Sequence, residues 1–245
     1  MCRLSLLNKE GIEYVEKNLG GIENLFNHLE NSFGGHGNGV CIIKNDGTKM
    51  LKKGVKLSNK QIAKLVKSNL KDVKWVMYHT RLASMGNITD INCHPFKNAE
   101  KVMMMNGTES QFAGRIKGNM TDTEHIFIAN GHIKANMFDR VKELKSVFVG
   151  YENGKVFITK GQGSLNLLKY GKAIVFASEF PSEYYSKTNI FESPLTWKEG
   201  QKIVMKNLFP IVEVKAKYSR GYSFNNSNYG YEDFYNEYYR GRNVL

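Results

Sequence analysis

The chain has 245 residues, of which 41% are hydrophobic, enough to bury a sizeable core, and mean hydropathy is −0.43. No run approaches the ~18 apolar residues that a membrane span needs, which excludes a membrane protein, and three cysteines (Cys2, Cys41, Cys93) exclude a disulfide scaffold. Thirty-five Lys and Arg against 23 acidic residues leave a net charge of +12, which fits either a nucleic-acid surface or a plain solvated one; the basic residues read as scattered along the chain.

The N-terminus, MCRLSLLNKEG, is too short and too polar for a signal peptide, so a cytoplasmic protein with reduced thiols is expected. Residues 11–32 read as helix, with Ile12, Val15, Ile22, Leu25, Phe26 and Leu29 at helical spacing and a break at Gly20-Gly21. Phe33 to Gly39 is a glycine-rich loop without the Lys-Ser/Thr of a P-loop, and His36 within it could contact a substrate or, the favoured reading, be merely exposed. Val40–Lys44 and Lys49–Lys53 flank the turn Asn45-Asp46-Gly47-Thr48, a hairpin signal. Ser58 with Gln61 three residues on makes a capping box, opening a helix with Ile62, Leu65 and Val66 on its apolar face.

Lys74–Ser84 and Lys101–Met105 read as strands, and Asn136–Leu144 as a short helix. Thr123–Ala129 fits helix or strand. Val147–Tyr151 and Lys155–Thr159 flank Glu152-Asn153-Gly154, a second hairpin. Lys172–Ser178 and Ile211–Lys217 are late strands. Strands in hairpins with helices between the blocks predict an α+β fold with largely antiparallel sheets. The domain is expected over residues 2–217. Residues 218–245 hold seven Tyr, two Phe and five Asn, a tail that is disordered or docked on a surface. Its aromatics beside Arg220, Arg240 and Arg242 could stack on single-stranded nucleic acid or pack on protein.

Cys2 carries the chemistry. Trimming of Met1, which a small second residue permits, would leave an α-amine with a pKa of ~7.7–8.0 beside a thiol near ~8.5. Nucleophile and base then share one residue. Arg81, at the end of a predicted strand, offers a bidentate fork to a carboxylate. Asn106-Gly107 offers a side-chain amide beside a backbone N–H, an oxyanion hole, although Asn-Gly alone also reads as a plain turn. Asp122 suits an ammonium group, or the start of a helix. Arg and Asp set apart match the two ends of a free amino acid, and a thiolate attacks an amide. Glutamine is the economical substrate. Cys41 and Cys93 read as packed thiols, and no Cys/His spacing suggests zinc, so no metal or cofactor is expected.

The Gly34–Gly39 loop, the HTRLASMG segment (79–86), NCHPF (92–96), the NGT turn (106–108), TDTE (121–124) and Ala177-Ser178-Glu179 follow Cys2 in order. The whole resembles the class II glutamine amidotransferases of the N-terminal nucleophile hydrolase superfamily, across Cys2 to Ser178. The resemblance implies a four-layer αββα sandwich. It implies Cys2 as nucleophile, Asn106 and Gly107 as oxyanion hole, Arg81 on the glutamine carboxylate and Asp122 on its amino group. Thr80, Ser84 and His94 would line or support the pocket. Leu82, Met85 and Met105 depart from the family pattern in the pocket walls.

No acceptor domain is seen after Lys217, so the resemblance implies either a bare glutaminase or amidase or, the favoured expectation, a separate synthetase partner that takes the ammonia, such as one amidating a 7-deazaguanine base. Two other readings stand beside it. One is a non-catalytic module on this fold that binds nucleic acid or assembles the protein. The other is a different N-terminal nucleophile amidase.

Overall fold

The computed structural model describes residues 2–115, 118–131, 136–161, 163–191 and 212–213. Strand β1 (Arg3–Asn8) opens the chain, followed by α1 (Lys9–Asn18) and α2 (Ile22–Phe33). Asn8 starts α1 because its side chain accepts the Gly11 N–H. The expected break between the helices is at Gly20 and Gly21, whose φ of 79° and 94° few other residues tolerate. Next come the hairpin β2 (Asn38–Lys44) and β3 (Lys49–Gly54), then α3 (Asn59–Asn69), opened by the Ser58–Gln61 capping box. Strand β4 (Val73–Thr80) leads through a long loop to β5 (Phe96–Lys97) and β6 (Val102–Asn106).

The second half holds α4 (Asp122–Gly131), α5 (Met137–Val141), β7 (Val147–Glu152) and β8 (Lys155–Lys160). Then follow β9 (Asn166–Tyr170), β10 (Ala173–Ala177), α6 (Ser182–Tyr185), β11 (Ile190–Phe191) and β12 (Val212–Glu213). The ambiguous 123–129 stretch is helix α4, with the Thr121 Oγ1 accepting the Glu124 N–H at its start. Of the expected strand 211–217, Val212–Glu213 are described and pair parallel to β8; the tail 218–245 lies outside the described residues.

Two sheets result. One has the order β11-β9-β10-β1-β4-β2-β3, with every pair antiparallel. The other has the order β12-β8-β7-β6-β5. Period-two alternation sends successive side chains to opposite faces, so the first sheet feeds two cores. Leu7, Val40, Val76 and Val175 pack under α1–α3, while Leu4, Leu6, Cys41, Met77 and Phe176 face the second sheet. That sheet meets them with Val102, Met104, Val149 and Ile158. Its other face packs Met103, Phe148 and Phe157 against Ile126 of α4 and Met137 of α5. Three apolar layers between four secondary-structure layers make the αββα sandwich. Among the described residues, no helix is long and apolar enough to cross a membrane.

One strand end and one whole strand differ most from the sequence reading. Strand β4 ends at Thr80 instead of Ser84, because the Arg81 guanidinium draws the chain back on itself through the carbonyls of Met85, Gly86 and Asn87. Strand β9 was not expected. It pairs with β10 through the turn at Gly171, whose φ is 55°.

Candidate active site

The site lies where β1 begins and where β4 and β6 end. Cys2 precedes β1, and the register sets Arg3 beside Thr80, so the thiol lies next to the chain leaving β4. Its Sγ accepts the Leu82 N–H at 3.3 Å and lies 3.4 Å from the Leu82 carbonyl oxygen. Cys2, Arg81, Leu82, Ser84, Met85, His94, Met105, Gly107, Thr121, Asp122 and Thr123 line one cleft. Burial pushes the Cys2 thiol up, and the Leu82 N–H and the Arg81 charge pull against it. At rest the thiol form is favoured, so a base has to take its proton before attack.

Arg81 is 2% exposed. Its guanidinium donates to the carbonyls of Asn87 at 2.7 Å, Met85 at 2.6 Å and Gly86 at 3.1 Å. A guanidinium has five N–H donors, so capacity remains for an anion. The loop it gathers is also held by His36, whose Nδ1 accepts the Ala83 N–H at 2.9 Å. The sequence reading of His36 as merely exposed is thereby corrected. Asp122 opens α4; its two carboxylate oxygens accept the N–H groups of Glu109 and Thr123. Burial raises its pKa, and these two bonds and Arg81 oppose the rise.

Asn106 ends β6. Its Nδ2 donates to the Ser178 Oγ at 3.3 Å, and its buried Oδ1 has no partner among the described residues. Ser178 Oγ also accepts the Leu4 N–H at 3.0 Å, so one hydroxyl ties β1, β6 and the end of β10 together. Gly107 follows at φ 142°, and a Cβ there would meet the Ser146 Oγ at 2.3 Å. Only glycine fits this turn.

Beneath the cleft, the His79 and His94 rings lie 4.2 Å apart. His79 Nε2 donates to the Met105 carbonyl at 3.0 Å. Burial lowers the His79 pKa to about 3 and holds that of His94 well below the usual histidine range. Both rings are neutral near pH 7. Neither ring nitrogen of His94 has a partner among the described residues.

No protein-family model and no curated protein sequence matches the chain. Solved structures match its fold. Glutamine phosphoribosylpyrophosphate (PRPP) amidotransferase from B. subtilis, complexed with ADP and GMP, is 16% identical over 78% of this chain and 45% of its own, with a TM-score of 0.51. An allosteric regulatory enzyme of purine biosynthesis is 16% identical over 78% and 44%, with a TM-score of 0.54. The chain shares its fold with these two structures. The chain spans less than half the length of either of these structures. A glutamine aminotransferase class-II domain protein from Silicibacter pomeroyi also aligns, at 12% identity over 72% and 88%, with a TM-score of 0.42.

On this amidotransferase fold, six of the eight residues singled out in the sequence share the cleft: Cys2, Arg81, Ser84, His94, Gly107 and Asp122. Asn106 stands beside it, through Gly107. Thr80 is not in it. Its position on β4 alternates with His79 and shares the face of Tyr78, and its Oγ1 lies where a Cβ on Gly34 would fall. Thr80 therefore supports the glycine loop from the helical side. Leu82, whose backbone contacts the thiol, and Ser178, which holds Asn106, were not given roles from sequence. A backbone contact leaves no residue-type signal. Ser178 was visible only as part of the Ala-Ser-Glu segment. Among the described residues, no group of His, Cys, Asp or Glu could hold a metal ion.

Proposed function

We propose that this chain is a glutaminase that hydrolyses the side-chain amide of glutamine through Cys2 and yields ammonia for an acceptor on a separate partner. One observation carries the reading. The Cys2 thiol lies in a cleft whose walls hold a buried arginine and a buried carboxylate, Arg81 and Asp122, on an amidotransferase fold. A cation and an anion set apart match the carboxylate and ammonium of a free amino acid, and its side chain is left to reach the sulfur.

The reaction begins with removal of Met1. The freed α-amine of Cys2 takes the thiol proton, directly or through one water. Sulfur attacks the side-chain carbonyl carbon, and the C=O electron pair moves onto oxygen, against the second N–H of Asn106 and the Gly107 backbone. The tetrahedral species collapses. The C–N bond breaks, and the Cys2 ammonium gives its proton to the departing ammonia. Water then attacks the γ-glutamyl thioester, passing a proton to the amine, and glutamate leaves with the thiol restored. Neutral His79 and His94 take no proton in this scheme. His94 lines the site and His79 packs against it, both as fixed polar groups.

Glutamate release from glutamine by the purified chain tests the reading. Release that Cys2→Ala abolishes supports it, and a Cys2→Ala protein that hydrolyses glutamine as fast as the parent overturns it.

A further inference from the structure

The structure gathers a basic surface that the sequence reading took as scattered. Residues 44–74 hold ten lysines and two aspartates, a net +8 of the chain's +12. They form β3, α3 and their connections. β3 is an edge strand, pairing with β2 alone, and α3 follows it directly and packs on α2 and β2. Lys52, Lys56, Lys60, Lys64, Lys67 and Lys71 are exposed, the last four at helical spacing along one side of α3 and its C-terminal turn. Lys67 pairs with Glu16 at 2.9 Å, whereas Lys52, Lys56, Lys60 and Lys64 have no ion pair among the described residues.

Composition alone does not explain this. The neighbouring helices α1 and α2, in the same layer, carry five Glu and two Lys over residues 9–33. The layer is polarised, acidic on one side and basic on the other. Lysine on an edge strand also blocks strand addition, which accounts for Lys52 and leaves the α3 row unexplained.

We propose that the β3–α3 face docks a nucleic-acid duplex through its phosphates. Three features favour that partner. The face offers lysine ammonium groups, point charges suited to phosphate, and no arginine for bidentate reading of bases. Residues 44–74 contain no Phe, Tyr, Trp or His, so the face has no platform on which unpaired bases could stack. The lysines form a row, matching the repeated charge of a backbone. Binding is therefore sequence-independent and salt-sensitive. The face also adjoins the cleft. Lys53 Nζ donates to the carbonyls of Ile91 and Cys93, and Asp90 accepts the Val55 N–H, in the loop that leads to His94. A docked duplex would lie against the loop that carries His94 into the site.

The test is fluorescence anisotropy with a labelled DNA duplex of about 20 base pairs, titrated across salt concentrations. The parent is compared with Lys52→Glu/Lys60→Glu/Lys64→Glu and with a charge-matched control, Lys17→Glu/Lys172→Glu/Lys187→Glu, whose three lysines are also exposed. The expected result is a loss of about tenfold or more in the first triple variant, with a salt slope shallower by about 2–3. The control should keep most of the affinity, and both variants should keep the parent's circular dichroism and glutamine hydrolysis. Equal losses in the two variants, no binding by the parent, or tighter binding to a single strand of the same length would overturn the proposal. So would tighter binding to polyglutamate, which would point to an acidic protein instead.

Discussion

The backbone N–H of Leu82 points at the sulfur of Cys2 from 3.3 Å, across 80 positions of sequence. That contact exists because β1 and β4 are antiparallel neighbours and because Arg81 folds the chain after Thr80 into a tight loop. A backbone donor fixed by the sheet and by a buried guanidinium stabilises negative charge on the sulfur as it forms, against the burial that favours the neutral thiol.

Ser178 bridges Leu4 and Asn106 with one hydroxyl. Ser178→Ala leaves a buried backbone N–H and a buried amide without that partner. Such groups cost about 1–3 kcal/mol of stability. Urea unfolding should show that loss. Steady-state assays should show kcat falling more than KM rises, because in the proposed mechanism Asn106 then loses its orientation toward the reacting oxygen.

Gly107 has both a positive φ and no room for a Cβ. Gly107→Ala should lower stability by about 1–3 kcal/mol and abolish most turnover. Gly171→Ala is the comparison: its φ of 55° is also positive, but nothing lies within 4 Å of an added Cβ. It should lower stability by about 1 kcal/mol from the backbone strain alone, less than Gly107→Ala, and retain full turnover.

Asp122 uses one carboxylate oxygen for Glu109 and the other for Thr123. Asp122→Asn keeps the shape and removes the charge, and it also sets an NH2 donor against one of those two N–H groups, so urea unfolding should show a loss of about 1–3 kcal/mol as well. KM for glutamine should rise about tenfold or more, as for a lost charged contact to an ammonium. An unchanged KM would remove Asp122 from the substrate site.

The histidine pair makes the fold acid-sensitive. His79 is neutral in the fold, with its pKa lowered by burial to about 3, whereas in the unfolded chain it titrates near ~6.5. The unfolded state therefore binds more protons below pH ~6.5, and stability present above that pH is lost as pH falls toward 3. Between pH 7 and 5 one such histidine accounts for about 2 kcal/mol. Urea midpoints at the two pH values should show that loss in the parent and a smaller one in His79→Gln, whose amide can still donate to the Met105 carbonyl.

Most of the fold was legible because its signals are local. The hairpins at Asn45–Thr48 and Glu152–Gly154, the capping box at Ser58 and the break at Gly20-Gly21 each depend on a few adjacent residues, and each is where the sequence set it. The end of β4 was not legible, because it depends on Arg81 reaching carbonyls four to six residues ahead. The gathering of Cys2, Arg81, Gly107 and Asp122 followed from the order of motifs. Leu82 and Ser178 contribute a backbone N–H and a bridging hydroxyl, whose meaning exists only once distant strands meet. Thr80 was expected, from the resemblance, to line or support the pocket, and strand alternation turns it to the helical face.

The central claim is that a trimmed chain uses the sulfur of Cys2 against a glutamine amide. The most direct measurement is mass spectrometry of the protein after incubation with an electrophilic glutamine analogue. The account predicts a chain beginning at Cys2, with one adduct on that residue and protection by excess glutamine. A chain that keeps Met1, or an adduct on Cys41 or Cys93 with Cys2 unmodified, would contradict it.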